Sequence, residues 1–481
     1  MADPTKTNET TKSSTSMMPM WVTDSQIDPS WVQEKLSDFD HVPECCVVKD
    51  ISNDTRKGDV PKNGATLLLQ LTSREQDGND GDHTGFGTKT AKAATTTTLV
   101  VKQVPTTRTR LAMSRQLGLA REAIFYNQLA PKIIKISSSS NNTDSDEACI
   151  LPTIHFSYGD MYDGSKVIIM EDLSKGFVDS GILFGPGNPN NWNRDLKRQI
   201  NGAYPPPRSG STTTVPTSFE VANQTFLAIA NVHATFWRDE ALLLNSTEEE
   251  YGGSSWLRGS AWICEEDEES WRASQGMIQK IWEKYTNSYS GESESESSIR
   301  WDPLVRQIVE KAMKGISWES QKERLNVNSN FCLVHGDFWP GNVMISTDHH
   351  ATSTSTEGNG GVRDLRLLDW EMVGVGSGPQ DLGQYILSNM DSAERRKCEE
   401  QLVRNYHHKL VNELGVPNFS WEECWSEYKI GGLERWLWFL VYFCRLDGPA
   451  MRGWAQYFHD QIKEFVHDHG ILPKDVTQPR P

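Results

Sequence analysis

The residues that invite a chemical reading lie in FCLVHGDFWPGNVMI, Phe331 to Ile345, and in LRLLDWEMV, Leu365 to Val373. Asp337 and Asn342 stand five positions apart, and a second aspartate, Asp369, follows 32 positions after the first. The apolar runs Val343 to Ile345 and Leu365 to Leu368 read as strands flanking a polar excursion, an order that brings the three side chains together. Such a set suits phosphoryl transfer, which asks for a base to orient the attacking hydroxyl and for oxygen ligands to hold Mg²⁺ on the β- and γ-phosphates. Mg²⁺ takes hard oxygens from one or two carboxylates, which Asp369 and the Asn342 carbonyl can offer.

These residues need a frame. ATLLLQLT (Ala65 to Thr72), TTLVVKQV (Thr97 to Val104) and KVIIMEDL (Lys166 to Leu173) are short, β-rich and bounded by turn residues, and read as strands. Between the second and third, SRQLGLAREAIFYNQLA (Ser114 to Ala130) has the apolar spacing of one amphipathic helix. The remainder reads as helical. Ser218 to Trp237 is expected to be a long core helix with Ser218 as N-cap and His233 as a packed core histidine. Asp391 and Glu394 stand at capping-box spacing before a helix that stops at Gly415. Further helices are expected over Trp421 to Cys444 and over Met451 to His469, the latter stopped by Gly470.

HGDFWPGN resembles the catalytic loop HxDxxxxN of eukaryotic-like kinases, in the HGD form of the aminoglycoside phosphotransferase and choline kinase group. LLDWE resembles that group's counterpart of the DFG metal motif. NVHATFW (Asn231 to Trp237), YHHKLVNELGV (Tyr406 to Val416) and WEECWSEYKIGG (Trp421 to Gly432) look like the CHK kinase-like, or ecdysteroid-kinase-like, branch. The resemblance covers about Trp21 to His469, with its specific motifs at 331 to 386. It implies an α+β, bilobal protein-kinase-like fold with a small antiparallel-sheet N-lobe and a mostly helical C-lobe. The expected divisions are a disordered start at 1–20, an N-lobe at 21–170, a C-lobe at 171–473 and a tail at 474–481.

On the same resemblance, Asp337 matches the catalytic aspartate, and Asn342 and Asp369 match the metal ligands. Lys102, inside the apolar strand, would reach the ATP phosphates, with Glu122 on the following helix to position it. The adenine would meet backbone groups around Glu171 and Leu173, and Asp381 in PQDLGQYI would brace the catalytic loop. No GxGxxG follows the first strand, so Gly58, with Gly64, is the expected phosphate-covering turn, and GFG at Gly85 to Gly87 falls in an insert. The function implied is ATP- and Mg²⁺-dependent transfer of a phosphoryl group to a hydroxyl of a small organic acceptor of choline, aminoglycoside or sterol type. The alternative is a pseudokinase scaffold, against which the complete set Lys102, Glu122, Asp337, Asn342 and Asp369 argues. Protein-kinase activity is disfavoured by DWE in place of DFG and by the lack of an APE-like segment. An aromatic wall of Trp436, Trp438, Tyr442 and Phe443 with the acidic CEEDEESW (Cys264 to Trp271) would suit a cationic acceptor, although aromatic residues at helical spacing more often pack into a core.

Composition narrows the remaining classes. The 481 residues carry a formal net charge of −17, which opposes the phosphate attraction behind most nucleic-acid binding. The longest purely apolar run, Trp436 to Cys444, falls short of the ~20 residues a spanning helix needs. The N-terminus has no apolar h-region, so a cytoplasmic location is the default expectation; a monomer is the default oligomeric state. Eight cysteines without a CxxC pair read as reduced, and no His/Cys cluster has zinc spacing. The 37% hydrophobic content is low, but the deficit is concentrated in five Ser/Thr/Gly/Asp-rich stretches. These are the first ~17 residues and the segments from Ser73, Ser137, Ser288 and Ser346, and they read as solvated inserts between elements.

Overall fold

The computed structural model of the chain describes residues 22–23, 26–27, 46–52, 65–73, 96–104, 107–133, 150–205, 215–243, 256–257, 268–288, 299–315, 317–319, 329–347, 364–445 and 449–476. Gly58, Gly64 and Gly85 to Gly87 lie outside the described residues, as does most of each polar insert.

Five antiparallel strands form the sheet lobe: β1 (Cys46–Ser52), β2 (Ala65–Ser73), β3 (Thr96–Gln103), β4 (Ile154–Gly159) and β5 (Lys166–Glu171), in the order β1-β2-β3-β5-β4. The three expected strands are all present, and β1 and β4 extend the sheet on either side of them. In β3 the alternation is visible, with Leu99, Val101 and Gln103 buried while Val100 and Lys102 are half-buried. In β5 the run Lys166 to Met170 is buried throughout, as suits the strand paired on both edges between β3 and β4.

The expected single helix between β3 and β4 is two, α1 (Arg108–Leu117) and α2 (Arg121–Gln128). Gly118 separates them with φ of 66°, a left-handed geometry that ends a helix at little cost only when no Cβ is present. The break re-aims α2, so that Arg121 and Glu122 both point inward and are buried.

The helical lobe holds α3 (Leu196–Ala203), α4 (Ser218–Thr235), α5 (Glu268–Ser288), α6 (Pro303–Gly315), α7 (Gly378–Asn389), α8 (Ser392–His408), α9 (Trp421–Phe443) and α10 (Pro449–Asp468). The cap of α4 is Thr217 rather than Ser218, and Thr217 forms a full capping box with Glu220. Asp391 caps α8 through the Ala393 and Glu394 N–H groups, while the Glu394 carboxylate turns instead to the Ser218 hydroxyl, joining α8 to α4.

Helix α7 is buried along its whole length, and α9 crosses it at a pair of glycines. A Cβ on Gly383 would run into the Tyr428 carbonyl oxygen and the Gly432 backbone, so this backbone-to-backbone contact accepts no side chain. The crossing sets α7 and α9 at a fixed separation beneath the loops that carry the candidate chemistry. Those loops hang on short strands. β6 (Phe177–Asp179), β8 (Val343–Ser346) and β9 (Leu365–Leu367) form one ribbon in the order β9-β8-β6, and β7 (Cys332–Val334) pairs with β10 (Gly374–Gly376). An α+β chain of two lobes results, one a sheet with two helices and the other mostly helical.

Candidate functional site

The loop after β7 begins at His335, and its backbone is held from below. The Asp381 carboxylate, in the first turn of α7, accepts the His335 N–H at 2.7 Å and the Gly336 N–H at 3.1 Å. The buried ring of His233 sits between this carboxylate, 3.4 Å from Nε2, and the Tyr406 hydroxyl, 2.8 Å from Nδ1. His233 is thus a core histidine, and it supports the loop through Asp381. His335 Nε2 lies 2.9 Å from the Leu368 carbonyl oxygen, which ties the loop to the chain just before Asp369.

Asp337 is half-buried at the mouth of this loop. The Asn342 amide donates to its carbonyl oxygen at 2.9 Å and to Oδ2 at 3.2 Å, and the Gln384 amide reaches Oδ1 at 3.5 Å. Burial holds its carboxyl above the ordinary aspartate range, and the Asp369 charge adds to that rise. Arg435, His335 and the Asn342 hydrogen bond oppose it. The Asn342 backbone carbonyl accepts the Leu368 N–H at 2.9 Å, so Asn342 stands beside the residue preceding Asp369.

Asp369 adopts φ of 66° without being glycine, a conformation uncommon outside Asn, Asp and Gly that frequently marks functional positions. Trp370, buried immediately after it, stacks on Phe125 of α2 at 4.2 Å between ring centroids and lies 4.4 Å from the His335 ring. The two lobes are packed together through these rings, which brings the carboxylates of one within reach of the lysines of the other.

Lys102 Nζ lies 2.6 Å from Asp369 Oδ1, 2.7 Å from Glu122 Oε2 and 3.2 Å from Glu371 Oε1. Burial disfavours its charge, but the Asp369, Glu122 and Glu371 carboxylates outweigh that penalty and hold the ammonium well above the ordinary lysine value. A second lysine, Lys166 at the start of β5, is fully buried, 2.9 Å from Glu122 Oε2 and 2.5 Å from Glu371 Oε1. Arg121 donates to the Glu371 carbonyl at 3.1 Å and to the Trp256 carbonyl at 2.6 Å, anchoring this turn from the side of α2. One oxygen each of Glu122, Asp369 and Glu371 lie within 4.8 Å of one another, and this all-oxygen donor set fits a hard divalent cation such as Mg²⁺.

The structure therefore brings Lys102, Glu122 and Asp369 together, and sets Asp337 and Asn342 beside them. Glu171 closes β5, its carboxylate accepting the Thr153 N–H at 2.8 Å with Arg366 3.6 Å away, and Leu173 is buried at the start of the following turn. Both occupy the strand end nearest the helical lobe. Sequence reading missed Lys166, Glu371, Gln384 and Arg435. The signal for Lys166 was present, since a lysine opening an otherwise apolar strand raises the same question as Lys102, and Glu371 lies within the DWE segment itself.

The aromatic wall divides. Trp436 is core, stacked 4.2 Å from Phe458 with its indole N–H donating to the Gln384 carbonyl, while Trp438, Tyr442 and Phe443 are half-buried. Cys264 to Asp267 lie outside the described residues. A cavity of about 810 Å³ opens between α5 and the end of α9, lined by apolar Met277 and Ile281 and by Lys280, Lys284 and Arg445.

A family model matches this chain: residues 263–419, about a third of its length, match the Ecdysteroid kinase-like family. The resemblance drawn from the catalytic-loop and DWE motifs is borne out by that match, which spans both motifs and stops short of Lys102 and Glu122. Among solved structures, the chain is similar to a choline kinase from Cryptosporidium parvum Iowa II, at 11% identity and a TM-score of 0.41, covering 92% of this chain and 97% of that one. It is similar at 11% identity and a TM-score of 0.39 to a choline/ethanolamine kinase family protein from Mesorhizobium loti, covering 93% of this chain and 98% of that one. A third is the amicoumacin kinase hAmiN in complex with AMP-PNP and Ca²⁺, at 10% identity and a TM-score of 0.37, covering 91% and 93%. No curated protein matches. Among the described residues no helix is long and apolar enough to cross a membrane.

Proposed function

We propose that this chain is an ATP- and Mg²⁺-dependent kinase that moves the γ-phosphoryl group to a hydroxyl of a small organic acceptor. The observation that carries the reading is the Lys102 ammonium, held at 2.7 Å from Glu122 on the sheet-lobe helix and at 2.6 Å from Asp369 in the helical lobe. A lysine so placed lies at the meeting of the two lobes, where phosphates would be gripped.

When bound, Mg·ATP would supply the phosphoryl group and a divalent charge to offset the phosphates. Asp369 and Asn342 would hold the metal, and Lys102, aligned by Glu122, would screen phosphate charge. Backbone groups around Glu171 and Leu173 would meet the adenine, and Gly58 the phosphate-covering turn. Asp337 would accept the proton of the acceptor hydroxyl, and a carboxyl lifted above the ordinary range is the better-matched base near neutral pH. Asp381 fixes the loop that aims it. The lobes would divide at Met170 and Glu171.

A cytoplasmic location accompanies this reading, supported by the unpaired Cys332, Cys398, Cys424 and Cys444; a monomer is proposed with it. The test is ADP release from Mg·ATP over a panel of choline-like amines, aminoglycosides and sterols. Acceptor-dependent release that Asp337→Asn abolishes supports the reading, and nucleotide binding without turnover on any acceptor would favour the scaffold alternative.

A further inference from the structure

Lys102 and Lys166 together face Glu122, Asp369 and Glu371, so the ionised cluster is one charge short of neutral. Lys166 makes its contacts from full burial, at 2.9 Å to Glu122 and 2.5 Å to Glu371. Phosphate gripping by Lys102 does not call for it. Without it, three carboxylate oxygens within 4.8 Å of one another would face a single ammonium, a deficit that a divalent cation fills readily.

We propose that Lys166 is a positioning residue that keeps divalent cations out of this carboxylate cluster until nucleotide is present, by holding one permanent positive charge between Glu122 and Glu371. With Lys166 in place, Lys102 can turn to nucleotide phosphates and leave Asp369 to the metal, while Glu122 and Glu371 remain satisfied. Metal binding at Asp369 then follows nucleotide rather than preceding it. This inference rests on the nucleotide-site reading above.

The test is titration of the full chain with Mn²⁺ alone, free Mn²⁺ being read by electron paramagnetic resonance, for wild type, Lys166→Met and Lys166→Arg. Losing a full charge at contact distance in a partly buried site is expected to tighten Mn²⁺ binding at least ~10-fold in Lys166→Met. Lys166→Arg stays weak like wild type, and adding Asp369→Asn to Lys166→Met removes the gain. Should the methionine variant fail to fold, Lys166→Gln, which stays polar and drops the charge, serves in its place. Tight Mn²⁺ binding by wild type, or no gain in a folded neutral variant, overturns the proposal. A gain in the variant while wild type ignores Mg·ATP would sink the kinase reading together with the nucleotide-first order, and leave only the exclusion of metal by Lys166 standing. Mg·ATP binding by wild type with no gain in the variant would sink this one alone.

Discussion

Lys102 and Asp369, 267 residues apart in sequence, join two lobes through one 2.6 Å ion pair. The bond does not stand alone, since Trp370, the next residue, stacks on Phe125 three positions after Glu122. An ion pair and a ring stack side by side thus fix the helix carrying Glu122 against the loop carrying Asp369. Replacing Lys102 by Met leaves three carboxylates with Lys166 alone, and leaving partly buried charged groups without their partner costs ~1–3 kcal/mol. Lys102→Met should therefore lower the melting temperature and abolish stabilisation by Mg·ATP. Retained nucleotide stabilisation in calorimetry would remove Lys102 from the site.

Asp337→Asn keeps the shape of the side chain and drops its basicity. Loss of a general base should cut kcat by ~10²–10⁴ with an identified acceptor, while Mg·ATP still raises the melting temperature. Turnover close to wild type would mean that another group takes the proton.

Acid should inactivate at a pH above the ordinary aspartate value of ~3.9, because only the ionised form of Asp337 accepts a proton and burial raises its carboxyl. Arg435→Met, which removes an opposing charge, should move the acid limb of kcat/KM further up. The sign for stability is the reverse of a salt-bridged aspartate. A carboxyl that binds its proton more tightly when folded contributes stability below its unfolded pKa and loses it as pH rises through the folded one. An acid limb at or below the ordinary range would contradict the assignment.

Gly383→Ala inserts a methyl into the crossing of α7 and α9 and should cost ~1–3 kcal/mol through overpacking. Because Gln384 and Arg435 both act on Asp337 from these helices, turnover should fall as well. Gly202→Ala, in α3 with open space around it, is the matched control and should be neutral or stabilising by up to ~1 kcal/mol. Equal melting temperatures for the two variants would deny the close approach.

The site was legible in the sequence where its chemistry is encoded by local spacing. Asp337 and Asn342 belong to one loop, Asp369 follows the paired strand, and Lys102 betrays itself as a charge in an apolar run. What escaped depends on contacts made far along the chain. Lys166 looks like the polar start of a strand until Glu122 and Glu371 arrive beside it. The single helix drawn across Ser114 to Ala130 broke because a permissive apolar pattern says nothing about the left-handed turn at Gly118. β4, whose residues Ile154 to Gly159 are all half-buried, lacks the apolar run that marked its neighbours. On the acceptor side, Trp436 packs inward onto Phe458, as aromatic residues at helical spacing more often do, and Cys264 to Asp267 of the acidic segment lie outside the described residues.

Thermal unfolding of wild type and Asp369→Ala, each with and without Mg·ATP, tests the central claim most directly. Nucleotide at ~100 times its dissociation constant adds about 2.7 kcal/mol, a rise of roughly 2–3 °C for a chain of this size. The predicted result is that rise in wild type, and its loss both in Asp369→Ala and when Mg²⁺ is withheld. No rise in a folded wild type, or an equal rise in the variant, would contradict a metal-nucleotide site built on Lys102 and Asp369.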